Sequence, residues 1–354
     1  RLLAVAISIP FAGLMFRYFE LPGKRLWVNS PRKLVGASLL ASLAAVVTVV
    51  AGSHFLSRES DWARVNRPNY GLGRACDHFS DGTIAPSCMT AAQPVVLVWG
   101  DSYAMHLVPG LTDVLPEVSI AQATRSSCAP VSRIARYTPE TGHTLSWATD
   151  CVSFNEQVIS FIERSASIKL VVVSSPFSFL VGARPGAQVV EMDHGEIRIS
   201  DASVRLAVDA MSEAVQRIRR AGKEVLLVSP PPQDGRDISR CIERSVESLP
   251  QIGRDSCEVN RERWLAREAD VIKFISQITS RAELNYVSFE DVLCNETSCR
   301  TSLGGVGLYR DPGHLSYVGS VALFRERDVR ESVVDLIESM VSMEESKASG
   351  ARDE

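Results

Sequence analysis

Two short runs hold the residue types that acyl-group chemistry needs. Gly100-Asp101-Ser102 follows an apolar run, Val95-Val96-Leu97-Val98-Trp99, and Asp311-Pro312-Gly313-His314-Leu315 stands far downstream. A serine at a strand-to-helix turn is exposed at a sheet edge, where the free N–H groups of the helix start can face an oxyanion. Its hydroxyl is a poor nucleophile until a base takes the proton. His314 supplies a base, and Asp311 a group to orient it. The expected arrangement is a Ser102–His314–Asp311 triad, in chain order Ser, Asp, His. The plain alternative makes Ser102 a helix N-cap and His314 a surface cap residue. His106 is a rival base, four residues after Ser102 on the same helical face. A residue one turn into a helix points along it, which favours His314. Asp101 is expected to serve the turn rather than the chemistry.

These side chains need a scaffold that brings distant segments to one edge. Val95–Trp99, Val118–Ala121, Leu170–Ser174, Glu224–Ser229 and Tyr286–Phe289 read as buried parallel strands. Residues near 103–114, 152–164, 203–221, 259–280 and 316–343 have helical spacing. Alternation of this kind gives an α/β fold, a mostly parallel sheet flanked by helices on both faces. Ligands bind such sheets at the carboxyl ends of the strands. Ser102 is at one such end, and Asp311 and His314 precede the last helix, where the chain can return to that edge.

The motifs Gly-Asp-Ser and Asp-x-x-His-Leu-Ser, with Tyr309 before the second, resemble the first and last blocks of the SGNH (GDSL-like) esterase superfamily. The resemblance implies Ser102 as nucleophile, His314 as its base and Asp311 as the orienting carboxylate. That superfamily also carries a glycine after its second strand and an asparagine after its third, both oxyanion donors. Here those loops read Thr124-Arg125-Ser126-Ser127-Cys128 and Ser174-Ser175-Pro176. The Ser102 N–H is then the expected donor, with Ser127 or Ser175 adding another. Arg125 either holds a sugar or an anionic group, or makes a salt bridge. Tyr103 departs from the histidine often found there in members of the superfamily that are fused to a membrane acyltransferase domain.

Tyr18-Phe19-Glu20-Leu21-Pro22-Gly23-Lys24-Arg25 resembles the Glu-x-Pro segment near the end of acyltransferase-3 membrane domains. Some members of that family continue through an extra helix into a periplasmic SGNH domain, and typical examples O-acetylate lipopolysaccharide O-antigen. The chain resembles the C-terminal part of such a fused protein. This implies three partners: an upstream acyltransferase-3 membrane domain, a lipid bilayer and a polysaccharide acceptor. It implies acetyl-CoA as donor for the full-length protein, with no cofactor bound by this part. The expected function is O-acyl transfer through a Ser-His-Asp acyl-enzyme. A membrane-anchored esterase and a non-catalytic glycan-binding domain are the alternatives.

Composition agrees with that outline. The chain has 354 residues, 45% hydrophobic and 23% charged, with a net charge of −4. No basic field suggests nucleic acid. Residues 1–16 read as a partial transmembrane helix and 34–53 as a complete one, uncharged and long enough to cross a hydrocarbon core. Between them, 17–33 is a basic loop with Arg17, Lys24, Arg25, Arg32 and Lys33 against Glu20, which is expected to be cytoplasmic. The chain opens on Arg1 within an apolar run, which reads as part of a longer protein with no signal peptide visible. Residues 54–92 read as an ordered periplasmic linker, 93–343 as the SGNH-like domain and 344–354 as a charged, frayed tail. The expected location is a bacterial inner membrane with the large domain in the periplasm. Eight cysteines (76, 88, 128, 151, 241, 257, 294 and 299) all follow the second apolar stretch, which points to disulfides in an oxidising compartment. Many pairings are possible, and joining sequence neighbours is the simplest. The spacings fit no zinc module.

Overall fold

Three apolar runs rich in valine and leucine form the middle of the central sheet, where strands are covered on both faces. The computed structural model describes residues 16–17, 65–77, 82–193, 195–246 and 257–350. The sheet strands are β1 (Val96–Gly100), β2 (Ile120–Thr124), β4 (Leu170–Ser174), β7 (Glu224–Val228) and β8 (Asn285–Val287), all parallel, in the order β2-β1-β4-β7-β8. Alternate residues feed two separate cores. Leu97, Trp99, Val171, Val173, Val225 and Leu227 pack on one side. Val96, Val98, Leu170, Val172, Leu226 and Val228 pack on the other. The first core is covered by α3 (Leu145–Arg164), α4 (Val204–Arg220) and α7 (Ala269–Arg281), and the second by α2 (Val108–Val114), α5 (Ile238–Val246), α9 (Tyr317–Arg327) and α10 (Val329–Gly350). This is the expected α/β sheet flanked by helices.

Strand order reverses beside β1, because the chain steps from β1 out to β2 and then crosses back to β4. Open sheets of this kind leave a crevice where the order reverses. A second, antiparallel sheet was not expected from the sequence. It comprises β3 (Ile134–Tyr137), β5 (Gln188–Asp193) and β6 (Glu196–Asp201), in the order β3-β5-β6.

Several boundaries move from their expected positions. The second strand is Ile120–Thr124 rather than Val118–Ala121, because buried Gln122 continues it. The helix expected near 103–114 is two, α1 (Ser102–Met105) and α2, divided where Pro109 starts a new helix. The last helix divides at Asp328, which takes a left-handed conformation and caps α9. Residues 344–350, expected to fray, continue α10.

The segment expected as a linker joins the domain where it is described. Asp61–Glu354 forms one compact unit. Leu72 N–H donates to Gln122 Oε1, and Thr124 Oγ1 donates to the Cys76 carbonyl. The disulfides are Cys76–Cys88, Cys128–Cys151, Cys241–Cys257 and Cys294–Cys299, the neighbour pairing. The expected transmembrane segments and the basic loop lie outside the described residues, apart from Phe16 and Arg17. Among the described residues no helix is long and apolar enough to cross a membrane.

Candidate active site

The turn after β1 is fixed by a close approach that only glycine allows. Gly100 has φ +152, and a Cβ there would collide with the Ser174 carbonyl at the end of β4. The chain then reverses through Asp101, the N-cap of α1, whose carboxylate accepts from the Tyr103 N–H at 2.8 Å. Ser102 is the first residue of that helix, so its N–H has no helical acceptor. Its side chain stands at the carboxyl end of β1, beside the crevice.

The second half of the site is a loop that its own sequence folds. Tyr309 bridges to Leu315, and Arg310 N–H donates to the His314 carbonyl. Inside this loop Asp311 Oδ1 accepts from the N–H groups of Gly313 (3.0 Å) and His314 (2.8 Å). Both Asp311 oxygens lie 2.9 Å from His314 Nδ1. Burial works to raise the Asp311 carboxyl. The hydrogen bond and charge of His314 outweigh it, with the two backbone N–H groups, and hold the group well below the usual carboxylate range. His314 Nε2 lies 2.7 Å from Ser102 Oγ, across 212 positions of sequence. With Nδ1–H held on Asp311, Nε2 is free to accept the serine proton. The structure thus brings Ser102, His314 and Asp311 into one hydrogen-bonded line.

His106, the rival, is fully buried and faces elsewhere. Its Nδ1 accepts from the Leu315 N–H at 3.3 Å, and its Nε2 has no hydrogen-bond partner among the described residues. Burial, reinforced by nearby His314, pushes its pKa well below the ordinary value. It is a neutral strut behind the His314 loop. Tyr103 fills the space between, with ring centroids 5.1 Å from His106 and 4.7 Å from His314. Its hydroxyl donates to Gln233 Oε1. Gly313 makes room for both groups, since a Cβ there would overlap the Tyr103 hydroxyl and Gln233.

The crevice is a cleft of about 360 Å³ whose lining includes Asp101, Ser102, Ser127, Ser175 and His314. The expected oxyanion residues divide here. Ser127 lines the cleft with φ +65, the left-handed conformation that suits the glycine missing from this loop. Ser175 also lines the cleft, and its hydroxyl is donated to Asp101 Oδ2 at 2.7 Å. Arg125 is placed outside the cleft. Its Nη1 donates to the Asp150 carbonyl, and its guanidinium lies over Trp147.

Sequence reasoning missed Gln233, Arg136, Arg184 and Arg267, which line the same cleft as Ser102, and Asn69 behind it. Buried Asn69 donates to the carbonyls of His106 (3.2 Å) and Leu315 (3.5 Å), tying both halves of the site together. Gln233 follows the Pro230-Pro231-Pro232 run after β7, and its place beyond a strand's carboxyl end was the available signal.

Comparison with known proteins agrees with this fold. The periplasmic domain of a lipopolysaccharide acetyltransferase from Salmonella ser. Paratyphi A is similar at 20% identity and TM-score 0.50, over 70% of this chain and 86% of that one. A GDSL-like lipase from Bacteroides thetaiotaomicron VPI-5482 is similar at 12% identity and TM-score 0.33, over 73% of this chain and 93% of that one. No curated protein matches the chain. The profile of one family, described as an SGNH domain fused to AT3 domains, matches residues 74–326, and the chain belongs to that family.

Proposed function

We propose that this chain carries the extracytoplasmic acyl-transfer step of an O-acetyltransferase acting on a cell-envelope polysaccharide. The observation that carries the reading is the 2.7 Å contact of Ser102 Oγ with His314 Nε2, with Asp311 behind the ring. Ser102 Oγ attacks the acyl carbonyl while its proton passes to Nε2. The oxyanion faces the Ser102 N–H, with Ser127 on the cleft wall as a second donor. Collapse expels the leaving group, which takes the proton from Nε2. A sugar hydroxyl then gives its proton to Nε2 and attacks the acyl carbon, and as the bond to Ser102 Oγ breaks that oxygen takes the proton back from Nε2. Asp311 holds the ring tautomer and stabilises the imidazolium.

Acetyl-CoA would be the cytoplasmic donor, used by an upstream acyltransferase-3 domain that passes the acetyl group across the bilayer. The AT3 fusion that describes the family supports that partner. The Salmonella relative supports a lipopolysaccharide-type acceptor. Four disulfides support an oxidising compartment. Esterase action is the second reading, because the His314 side chain is 24% exposed and water can reach the acyl-enzyme.

The full chain, incubated with p-nitrophenyl acetate and analysed by mass spectrometry, is expected to carry one acetyl group on Ser102. Ser102→Ala should lose the adduct and about 10⁴-fold or more of the rate. Acetate release that exceeds acetylation of an added glycan would favour the esterase. Envelope acetylation that survives Ser102→Ala would end the transferase reading.

A further inference from the structure

The cleft around Ser102 carries more positive charge than acyl transfer requires. Arg136, Arg184 and Arg267 line it, and the only carboxyl among the lining residues is Asp101, buried beside Ser102. The three guanidiniums come from β3, from the loop between β4 and β5, and from the end of α6 (Arg261–Arg267), so three separate elements converge on one space.

Charge counting leaves a surplus. Glu268 Oε1 lies 2.7 Å from Arg184 Nη2 and 3.2 Å from Arg267 Nε. One carboxylate serves two cations, so one positive charge of that set is left over. Arg136 is held by neutral groups alone. Its Nε donates to Thr138 Oγ1 at 2.9 Å and its Nη2 to Thr141 Oγ1 at 3.3 Å, and its guanidinium carbon lies 3.3 Å from the Phe179 ring centre. No carboxylate pairs with it among the described residues. Partial burial pushes Arg136 down to about 10, with no carboxylate beside it to pull the value back up.

Neutral sugars do not need three guanidiniums, and the acetyl group is uncharged. A planar guanidinium matches a carboxylate or phosphate through paired hydrogen bonds, and such charge-assisted bonds are the stronger kind. We propose that Arg136, Arg184 and Arg267 form an acceptor subsite for an anionic sugar residue, one bearing a carboxylate or a phosphate, held beside Ser102. This rests on the acyl-transfer reading and names its acceptor class. Arg125, for which the sequence left an anion contact or a salt bridge open, does not line this cleft and donates to the Asp150 carbonyl.

The test titrates the full chain calorimetrically with three probes: an oligogalacturonate, the same oligosaccharide fully methyl-esterified, and a phosphorylated mannan oligosaccharide. At least one anionic probe is expected to bind about ten-fold tighter than the esterified one, with the difference shrinking in high salt. Preference for the galacturonate assigns a carboxylate, and preference for the mannan a phosphate. Arg136→Gln and Arg267→Gln should each cut the anionic-to-neutral affinity ratio several-fold. The wild-type comparison needs no variant, so a misfolded one does not obscure it. Equal affinity for all three probes, including no binding by any, overturns the subsite. So does a ratio unchanged in both variants. A chain that prefers anions but forms no acyl adduct on Ser102 would refute the catalytic reading and leave the subsite standing.

Discussion

Asp101 lies next to the reactive serine, yet its carboxyl is buried and bound to the Tyr103 N–H and the Ser175 hydroxyl. Burial raises its pKa to about 6 from 3.8, against the opposing pull of those hydrogen bonds and of His314. A folded-state value above the unfolded one gives a contribution fully present below pH 3.8 and lost as pH rises through about 6. Relative to Asp101→Asn, the wild-type chain should therefore lose on the order of 2 kcal/mol of stability from acid to neutral pH, as measured by urea unfolding at both. A difference that does not change with pH would contradict the burial argument. The same neighbourhood shows which site residues the sequence disclosed. Asp311 and His314 are three positions apart and bond within one short loop, so their relation is local and legible. The hydroxyl of Ser175 is taken by a carboxylate 74 positions away, and Arg125 is turned aside by the Asp150 carbonyl. Such choices depend on tertiary partners that no local pattern contains.

At the scale of elements, the site is two loops pinned by a third segment. Asn69 bridges the carbonyls of His106, at the end of α1, and Leu315, beside His314. Asn69→Ala removes both bonds and leaves two buried acceptors short of a donor, at a cost of about 1–3 kcal/mol. The Ser102–His314 contact should loosen with it. Acetylation of Ser102 by p-nitrophenyl acetate is expected to slow by about ten-fold or more, since small misplacements cost large factors in rate. Wild-type stability together with a wild-type rate in this variant would show that the bridge positions nothing. Strands β1, β4 and β7 were legible because each holds a continuous apolar run. Strand β2 was misplaced because it contains Gln122, which reads as a strand end. In the fold that amide is satisfied by Leu72, Tyr70 and Thr124. The antiparallel sheet was missed because β6 is largely exposed, with Arg198 and Glu196 diluting its alternation.

For the whole molecule, the disulfides brace the loops rather than the sheet. Cys128–Cys151 ties the loop after β2, one residue beyond Ser127, to helix α3 across 23 positions. Removing it by paired Cys128→Ala and Cys151→Ala should cost about 3 kcal/mol, read as a shift in urea midpoint between variant and wild type. No shift would show that the buried contacts around Asn155, which joins Trp99 to the Ala129 carbonyl, already hold that loop. The sheet order sets a further condition on the site. Its serine comes from the first strand laid down and its imidazole from a loop beyond the last. A polypeptide growing from its amino end therefore exposes the hydroxyl long before the proton acceptor has been made. During synthesis the half-built domain has no power to attack the esters around it, and reactivity arrives only once the His314 loop has been made.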